Sequence, residues 1–341
     1  MKWVKGIGLT FLAVIVLSYG SYMVFFKPDP LVFPEARPLG AGLDLSSVYG
    51  IEAGLYTPQK ISSLKVDGLN VSVYFPKEEG RFPLLVFSHG NFSDRHSYDR
   101  VIMHWVSHGY VVLSPDHLDA GGMVNGISAM LRYGQDGVLK QRPQDLILLL
   151  DNLETIEEKL PALKGKVNAD LVAATGHSFG AFAAQMMGGA DAADPTGGER
   201  LTAYDARIKA IVALSPPGPM FDMIDQQSWD SMKKPQLVTT GTWDMDASFF
   251  REWTLHTLSY RNAPEGENYL LVTEGADHYL GNLICRLDRN EAPQQDALKM
   301  VRATTTAFLD AYLKQKPAAK AFIDSEKLQQ VTADFSRVTK R

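Results

Sequence analysis

The chain has 341 residues, of which 45% are hydrophobic and 21% charged, and a formal net charge of −5 at pH 7. These values are typical of a globular protein with a sizeable core and exclude a disordered chain. Its single cysteine, Cys285, excludes an internal disulfide framework and a cysteine-rich zinc site. Because basic residues form no cluster, we expect no nucleic-acid partner.

An apolar segment follows the N-terminus. Two lysines precede 21 uncharged residues, from Gly6 to Phe26. As a helix, such a run would extend about 31 Å, close to the thickness of a bilayer core. We therefore predict a signal anchor over residues 1–26, with the remainder of the chain exported and attached to the membrane. A cleaved signal peptide, which would leave a secreted or periplasmic protein, is the alternative.

Residues 27–62 are rich in proline and glycine and predict a linker, followed by a folded domain over residues 63–341. In that domain, alternating apolar residues predict a half-exposed antiparallel strand over Leu69–Pro76. A continuous apolar run predicts a buried parallel strand over Pro83–His89. Strands and helices then alternate, with strands over residues 110–116, 171–177, 208–216, 236–244 and 268–278, and helices over residues 96–109, 143–160, 179–190 and 293–314.

This alternation predicts one α/β domain, with a mostly parallel, doubly wound sheet and helices on both faces. For the polar tail over residues 316–341 we expect a short helix. In a doubly wound sheet, ligands bind beyond the carboxyl ends of the strands. Polar residues that directly follow predicted strands are therefore the candidates for a functional site.

Three such residues carry complementary chemistry. Ser178 lies in "GHSFG" between a predicted strand and a predicted helix, where a sharp turn would push its side chain into a cleft. A serine nucleophile needs a base to take its proton and a carboxylate to orient that base. His278 in "EGADH" is our predicted base, and Asp244 in "GTWD" is the orienting acid, with Asp246 as the alternative.

Acyl transfer also needs backbone N–H groups that stabilise an oxyanion. We predict these donors at Phe179, directly after the serine, and at Asn91, in the loop after the strand that ends near His89. Glycine at position 90 would let that loop turn sharply. Trp243, beside the predicted acid, is our candidate for a wall of the substrate cleft.

The segment "SPDHLD" contains Asp116, His117 and Asp119, which are residue types that bind metals. We find no convergent ligands elsewhere in the sequence and predict a solvated loop. No metal and no cofactor are therefore expected. Among the other histidines, His256 is predicted to lie at the surface.

Four segments together resemble the α/β-hydrolase superfamily: "VFSHGNFSDRHSYDRVIMHWVSHGYVVLSPDH", "TGHSFGAFAA", "GTWD" and "GADH". Within it, they look most like the platelet-activating-factor acetylhydrolase and dienelactone-hydrolase-like branch, and bacterial cutinase-like polyesterases are also similar. The resemblance covers about residues 60–314. It implies a serine carboxylic-ester hydrolase that forms an acyl-enzyme on short to medium acyl esters. Serine at position 178, where dienelactone hydrolases use cysteine, argues against dienelactone as the substrate.

Two insertions, over residues 118–142 and 216–234, carry methionine and aromatic residues that could line an acyl pocket. Ordinary packing beneath long loops is the alternative. The expected partner is a small-molecule ester. A lipase, a cutinase-like polyester hydrolase and an acyl-peptidase are alternative enzymes. A membrane-tethered binding protein of the same fold is the alternative outside catalysis, although such a protein should lack at least one residue of the predicted triad.

Overall fold

The structure is a computed structural model that describes residues 29–341. The predicted signal anchor over residues 1–26 lies outside these residues and stays a prediction. From residue 29 onward, no helix has both the length and the apolar character that crossing a bilayer requires.

A large β-sheet surrounded by helices forms the described part of the chain. The strands are β1 (Pro58–Val66), β2 (Leu69–Pro76), β3 (Phe82–Ser88), β4 (Val111–Pro115), β5 (Val167–His177), β6 (Asp191–Ala192), β7 (Leu201–Thr202), β8 (Ile208–Leu214), β9 (Gln236–Trp243), β10 (Asn268–Asp277) and β11 (Ser336–Lys340). The helices are α1 (Asp99–Ser107), α2 (Met123–Asp151), α3 (Leu153–Lys159), α4 (Phe179–Gly188), α5 (Leu258–Asn262), α6 (Gln295–Tyr312), α7 (Pro317–Ile323) and α8 (Lys327–Val331).

The main sheet has the order β1-β2-β4-β3-β5-β8-β9-β10-β11. Its central strands, from β4 to β10, run parallel. The outer strands β1, β2 and β11 are antiparallel to their neighbours. The predicted α/β class and the mostly parallel sheet are therefore confirmed. The strand over Leu69–Pro76 is antiparallel as predicted, but it is buried from Val71 onward and not half-exposed, because neighbouring elements cover both of its faces.

The chain reverses its direction of winding at β3, which pairs with β4 on one side and β5 on the other. The carboxyl ends of β3 and β5 consequently face a crevice between loops that diverge. Such a switch point is where open α/β sheets bind ligands.

Side chains of β3 alternate between the two faces of the sheet. Leu84 and Val86 belong to one core layer, and Leu85 and Phe87 belong to the other. Helices α2 and α4 contribute to the first layer, whereas α1 and α6 contribute to the second. The sheet is therefore covered on both faces, which explains why β3 and β4 are buried along their whole length.

The first strand begins inside the segment predicted as a linker. β1 starts at Pro58, so the predicted domain boundary at residue 63 lies too late. Residues before β1 also pack on the domain: Val48 is buried, and the Tyr49 hydroxyl donates a hydrogen bond to Asp310 at 2.7 Å. Composition predicts a tether there because it does not record these individual contacts.

The helix predicted to start at Pro143 begins much earlier. Helix α2 contains a break at Gly134 (φ 71°) and includes Pro143 in its interior. Proline in a helix interior removes one backbone donor and is usually costly. Here Val138 and Leu139 are buried, so packing stabilises the helical turn that precedes the proline.

The tail contains more structure than the predicted short helix. It forms α7, α8 and then β11, which extends the sheet by pairing with β10. The side chain of Thr273 lies 2.9 Å from Ser336 across this pair. The tail thus covers one edge of the strand that ends beside His278.

Candidate active site

Ser178 lies alone in the turn between β5, which ends at His177, and α4, which begins at Phe179. Its backbone has φ 53° and ψ −125°, a conformation that favours glycine. Its N–H donates to the Leu214 carbonyl at 2.8 Å, and its own carbonyl accepts from the Ala181 N–H at 2.9 Å. The strand and the helix predicted around Ser178 are therefore present, and the surrounding chain holds the turn in a strained conformation.

Two glycines allow three backbone segments to meet at this turn. A Cβ atom on Gly180 would lie 2.2 Å from the Ser88 carbonyl oxygen and 2.4 Å from that of His89. A Cβ atom on Gly176 would lie 2.3 Å from the carbonyl oxygen of Gly180. The glycines of "GHSFG" are thus needed for close packing of β5, α4 and the end of β3.

We expect Gly180→Ala to lower the free energy of unfolding by about 1–3 kcal/mol or more, because rigid backbone must move to accept the methyl group. Gly137→Ala in α2 is the matched control, since its Cβ would meet only the Tyr133 Cβ, at 3.3 Å. Alanine there should stabilise by up to about 1 kcal/mol through helix propensity. Urea denaturation measures both changes, and equal stability of Gly180→Ala and the unmodified protein would contradict the packing argument.

His278 and Asp244 each lie one residue beyond neighbouring parallel strands, β10 and β9. His278 Nδ1 lies 2.7 Å from Asp244 Oδ1, and the Thr240 hydroxyl donates to Asp244 Oδ2 at 2.9 Å. Asp244 is fully buried. Burial alone would raise the pKa of this carboxyl, but the adjacent His256 and His278 hold it well below its ordinary value.

Asp246, the alternative acid, is occupied within its own loop. Its Oδ1 atom accepts hydrogen bonds from the backbone N–H groups of Ser248 at 2.8 Å and Phe249 at 3.1 Å. The geometry therefore favours Asp244 as the partner of His278.

His256 is buried, so the prediction of a surface residue is wrong. It lies in a 3₁₀ helix over Trp253–Thr257, and its Nε2 atom is 3.0 Å from Asp244 Oδ1. This contact is close enough for charge attraction but is not aligned as a hydrogen bond. The sequence offered no signal for it, because His256 does not follow a strand.

His177 connects the serine turn to the predicted base. Its Nε2 atom lies 2.9 Å from the His278 carbonyl oxygen, and the two imidazole rings are 4.7 Å apart between centroids. Because His177 directly precedes Ser178, these contacts bring the loop after β10 against the serine turn.

The predicted oxyanion donors lie at the switch point of the sheet. Among residues 29–341, the N–H groups of Asn91 and Phe179 have no hydrogen-bond acceptor. A Cβ on Gly90 would lie 2.9 Å from His177 Nδ1 and 3.0 Å from Cys285 Sγ, so the loop needs glycine there for close packing. Both predicted donors are therefore unused by the described chain.

A buried ion pair supports the loop after β3. The guanidinium group of Arg142 is fully buried and lies 2.7 Å from Asp119. It also donates to the Ser88 hydroxyl at 3.2 Å and to carbonyl oxygens of the loop itself. A buried charge is costly unless it is paired and hydrogen-bonded. This one is paired, and both of its terminal nitrogens donate hydrogen bonds, whereas its Nε atom has no partner among the described residues.

His117 extends the same network. Its Nδ1 atom lies 2.7 Å from Asp145 Oδ2 and its Nε2 atom 2.9 Å from the Ser88 hydroxyl. Burial lowers the pKa of His117, and a neutral ring can donate at Nδ1 and accept at Nε2. The prediction of a solvated loop is thus wrong for His117 and Asp119, whose partners are other side chains of the core.

Comparison with known proteins identifies a family that is similar to part of this chain. Residues 57–190 match the family model described as Chlorophyllase, an α/β-hydrolase-type family of serine esterases. This match and the mostly parallel α/β sheet are consistent with a carboxylic-ester hydrolase of the serine-esterase type. The matched region includes Asn91 and Ser178 but ends before Asp244 and His278. No curated protein matches the chain.

Trp243 lies against the segment that enters the domain. Its indole N–H donates to the Pro34 carbonyl at 2.8 Å, and its ring packs edge-on against Phe33 at 5.8 Å between centroids. The polar edge of the indole is therefore bound by the chain itself. A role for the rest of the ring in the substrate cleft stays a prediction.

One group of potential metal ligands converges in the described part of the chain. It comprises Asp244, His256 and His278, whose ligand atoms lie within 4.8 Å of one another. Two ligands of a tetrahedral zinc ion are about 3.3 Å apart, given bonds of about 2.0–2.2 Å. The 2.7 Å separation between His278 Nδ1 and Asp244 Oδ1 is therefore suited to a shared proton rather than a shared metal ion.

Proposed function

We propose that the protein hydrolyses carboxylic esters through an acyl-enzyme on Ser178, with His278 as the general base and Asp244 as the residue that orients it. The observation that carries this proposal is the 2.7 Å contact between His278 Nδ1 and Asp244 Oδ1. With its Nδ1 proton directed at the carboxylate, the imidazole has a free lone pair at Nε2 to accept the serine proton.

In the proposed reaction, His278 Nε2 takes the proton of the Ser178 hydroxyl as the serine oxygen attacks the ester carbonyl carbon. The protonated imidazole then gives that proton to the leaving alcohol. Water, deprotonated by the same histidine, attacks the acyl-serine and releases the carboxylic acid and free serine. Attack by serine and attack by water each form a tetrahedral intermediate with an oxyanion. The N–H groups of Phe179 and Asn91 stabilise both of these oxyanions, and each N–H group contributes about 10²- to 10³-fold in rate.

We propose short to medium acyl esters as substrates, as the resemblance to acetylhydrolases implies. The insertion over residues 216–234 places Met223, Ile224 and Trp229 in the core, so these side chains pack the domain and do not line an open pocket. The substrate-facing part would therefore come from the other insertion, over residues 118–142.

A second candidate is hydrolysis of long-chain, lipid-like esters. It is favoured by the first half of α2, where Met123, Val124, Ile127 and Leu131 expose large apolar side chains, with exposed fractions of 83% and 85% at Val124 and Leu131. Gly126 of this segment packs directly on Phe92, in the loop that carries a proposed oxyanion donor. An apolar acyl chain could contact this surface next to the reacting carbonyl.

A fluorophosphonate probe tests the nucleophile, and a substrate series tests the reaction class. We expect the probe to modify Ser178, as located by peptide mapping, and p-nitrophenyl esters from acetate to palmitate to be hydrolysed fastest at short or medium chain length. A maximum at palmitate would favour the lipid-ester candidate. Faster cleavage of a peptide p-nitroanilide would indicate a peptidase. The absence of both labelling and turnover would indicate a binding protein.

A further inference from the structure

His256 contacts the proposed acid from a direction that the triad does not use. Its Nε2 atom lies 3.0 Å from Asp244 Oδ1, and its Nδ1 atom lies 2.8 Å from the Pro216 carbonyl oxygen. The Phe250 ring packs on both His256 and His278, at centroid distances of 4.7 and 4.9 Å. This packing fixes the plane of the His256 imidazole beside that of His278.

Both nitrogens of His256 face oxygen atoms that can only accept hydrogen bonds. A neutral imidazole has one donor and one acceptor nitrogen, so a neutral ring would set a lone pair against one of these oxygens. Burial disfavours the charged ring, but the Asp244 carboxylate outweighs it and raises the pKa of His256 above its ordinary value. The surroundings therefore favour an imidazolium with a proton on each nitrogen.

We propose that His256 is a positioning residue: its imidazolium holds the Asp244 carboxylate in place and offsets part of its charge, so that the acid limb of the pH profile of kcat/KM lies at lower pH. The proposal rests on the function proposed for the Ser178, His278 and Asp244 triad. A lone carboxylate beside His278 would strongly stabilise the protonated ring. A paired carboxylate still orients that ring but stabilises its protonated form less.

The other titratable groups packed around the two rings do not replace this charge. Burial lowers the pKa of His177, so this neighbour of His278 is neutral. Burial also raises the pKa of Tyr279, whose ring lies 5.0 Å from His278, so it too is neutral. The carboxylates of Asp246 and Asp277 accept backbone N–H groups of their own loops.

The separation of the rings sets the size of the effect. The centroids of His256 and His278 are 5.3 Å apart. At that distance a positive charge disfavours a second one by an amount that corresponds to about 0.5–2 pH units, for effective dielectric constants between those of water and a protein surface. A displacement of the acid limb of the pH profile of kcat/KM measures this in the free enzyme.

His256→Gln removes the charge and retains an amide that can donate to Asp244. We expect its acid limb to move up by about 0.5–2 pH units, with the high-pH plateau of kcat/KM retained within a few-fold. His104→Gln is the matched control. His104 is also buried, but it lies in α1, bonded to the Gly50 carbonyl, and its pKa is lowered to about 4, so its loss should leave the limb in place.

A purely structural role for His256 would lower the plateau of kcat/KM in His256→Gln and leave the acid limb at its original pH, and that result would overturn the proposal.

Direct observation of the ring nitrogens by ¹H–¹⁵N NMR in the unmodified protein needs neither activity nor a folded variant. We expect both His256 nitrogens to be protonated at neutral pH. A ring with one protonated nitrogen would overturn the proposal, whereas a charged His256 in a protein without esterase activity would overturn only the proposed function.

Discussion

Ser178→Ala should reduce kcat for p-nitrophenyl esters by about 10⁴- to 10⁶-fold, because the acyl-enzyme can no longer form and only direct attack by water remains. The variant retains Cβ and the backbone conformation, and the Ser178 hydroxyl makes no hydrogen bond within residues 29–341. Its thermal midpoint should therefore match that of the unmodified protein. Steady-state kinetics and thermal unfolding, measured on the same preparations, separate loss of chemistry from loss of fold.

Ser215→Ala is the matched control for this change. Ser215 also has a positive φ, of 46°, and directly follows β8, the strand next to β5. Its side chain has no role in the proposed mechanism, so the variant should retain most of its activity. Full activity in Ser178→Ala would refute the nucleophile assignment, and equal losses in both variants would indicate a general disturbance of this sheet edge.

Asp244→Asn should lower kcat/KM by about 10⁴-fold, because an amide can present an N–H to His278 and favour the wrong tautomer. It should also destabilise the protein by about 3–5 kcal/mol, since the buried His256 imidazolium would lose its anionic partner. The lowered pKa of Asp244 gives this stabilisation a pH dependence. This stabilisation is fully present above the carboxyl pKa in the unfolded state, about 3.9, and is lost as the pH falls through the lower pKa of Asp244 in the folded state.

Asp246→Asn distinguishes the two candidate acids. This carboxylate accepts two backbone N–H groups of its own loop, so its amide variant should lose some loop order and change kcat/KM only a few-fold. Kinetics and urea denaturation of both variants provide the comparison. If Asp246→Asn has the larger kinetic loss, then Asp246 is the orienting acid and the 2.7 Å contact of Asp244 is structural.

The residues at strand ends could be proposed from the sequence because a parallel sheet aligns the carboxyl ends of its strands. Apolar runs identify the strands, and Ser178, Asp244 and His278 each directly follow one. His256 could not be found this way. It is bonded to the carbonyl of Pro216, 40 residues earlier in the chain, and only the packing of a 3₁₀ helix against β9 brings it to Asp244.

Contacts between distant segments also explain the other differences between the predicted and the observed structure. His117 and Asp119 read as solvated because they are polar and follow a strand, yet their buried partners Asp145 and Arg142 come from α2. Local composition does not encode pairings between distant segments. The edge strand β11 was missed for a similar reason, since its polar pattern becomes a strand only through pairing with β10.

At the Ser178 turn, the residue that the proposed activity requires lowers the stability of the fold. An L-residue in this backbone conformation costs about 1–3 kcal/mol relative to a relaxed one. Glycine would relieve that cost but would remove the only hydroxyl at the tip of the turn. A sequence optimised for heat resistance alone would therefore replace the very side chain on which turnover is proposed to depend.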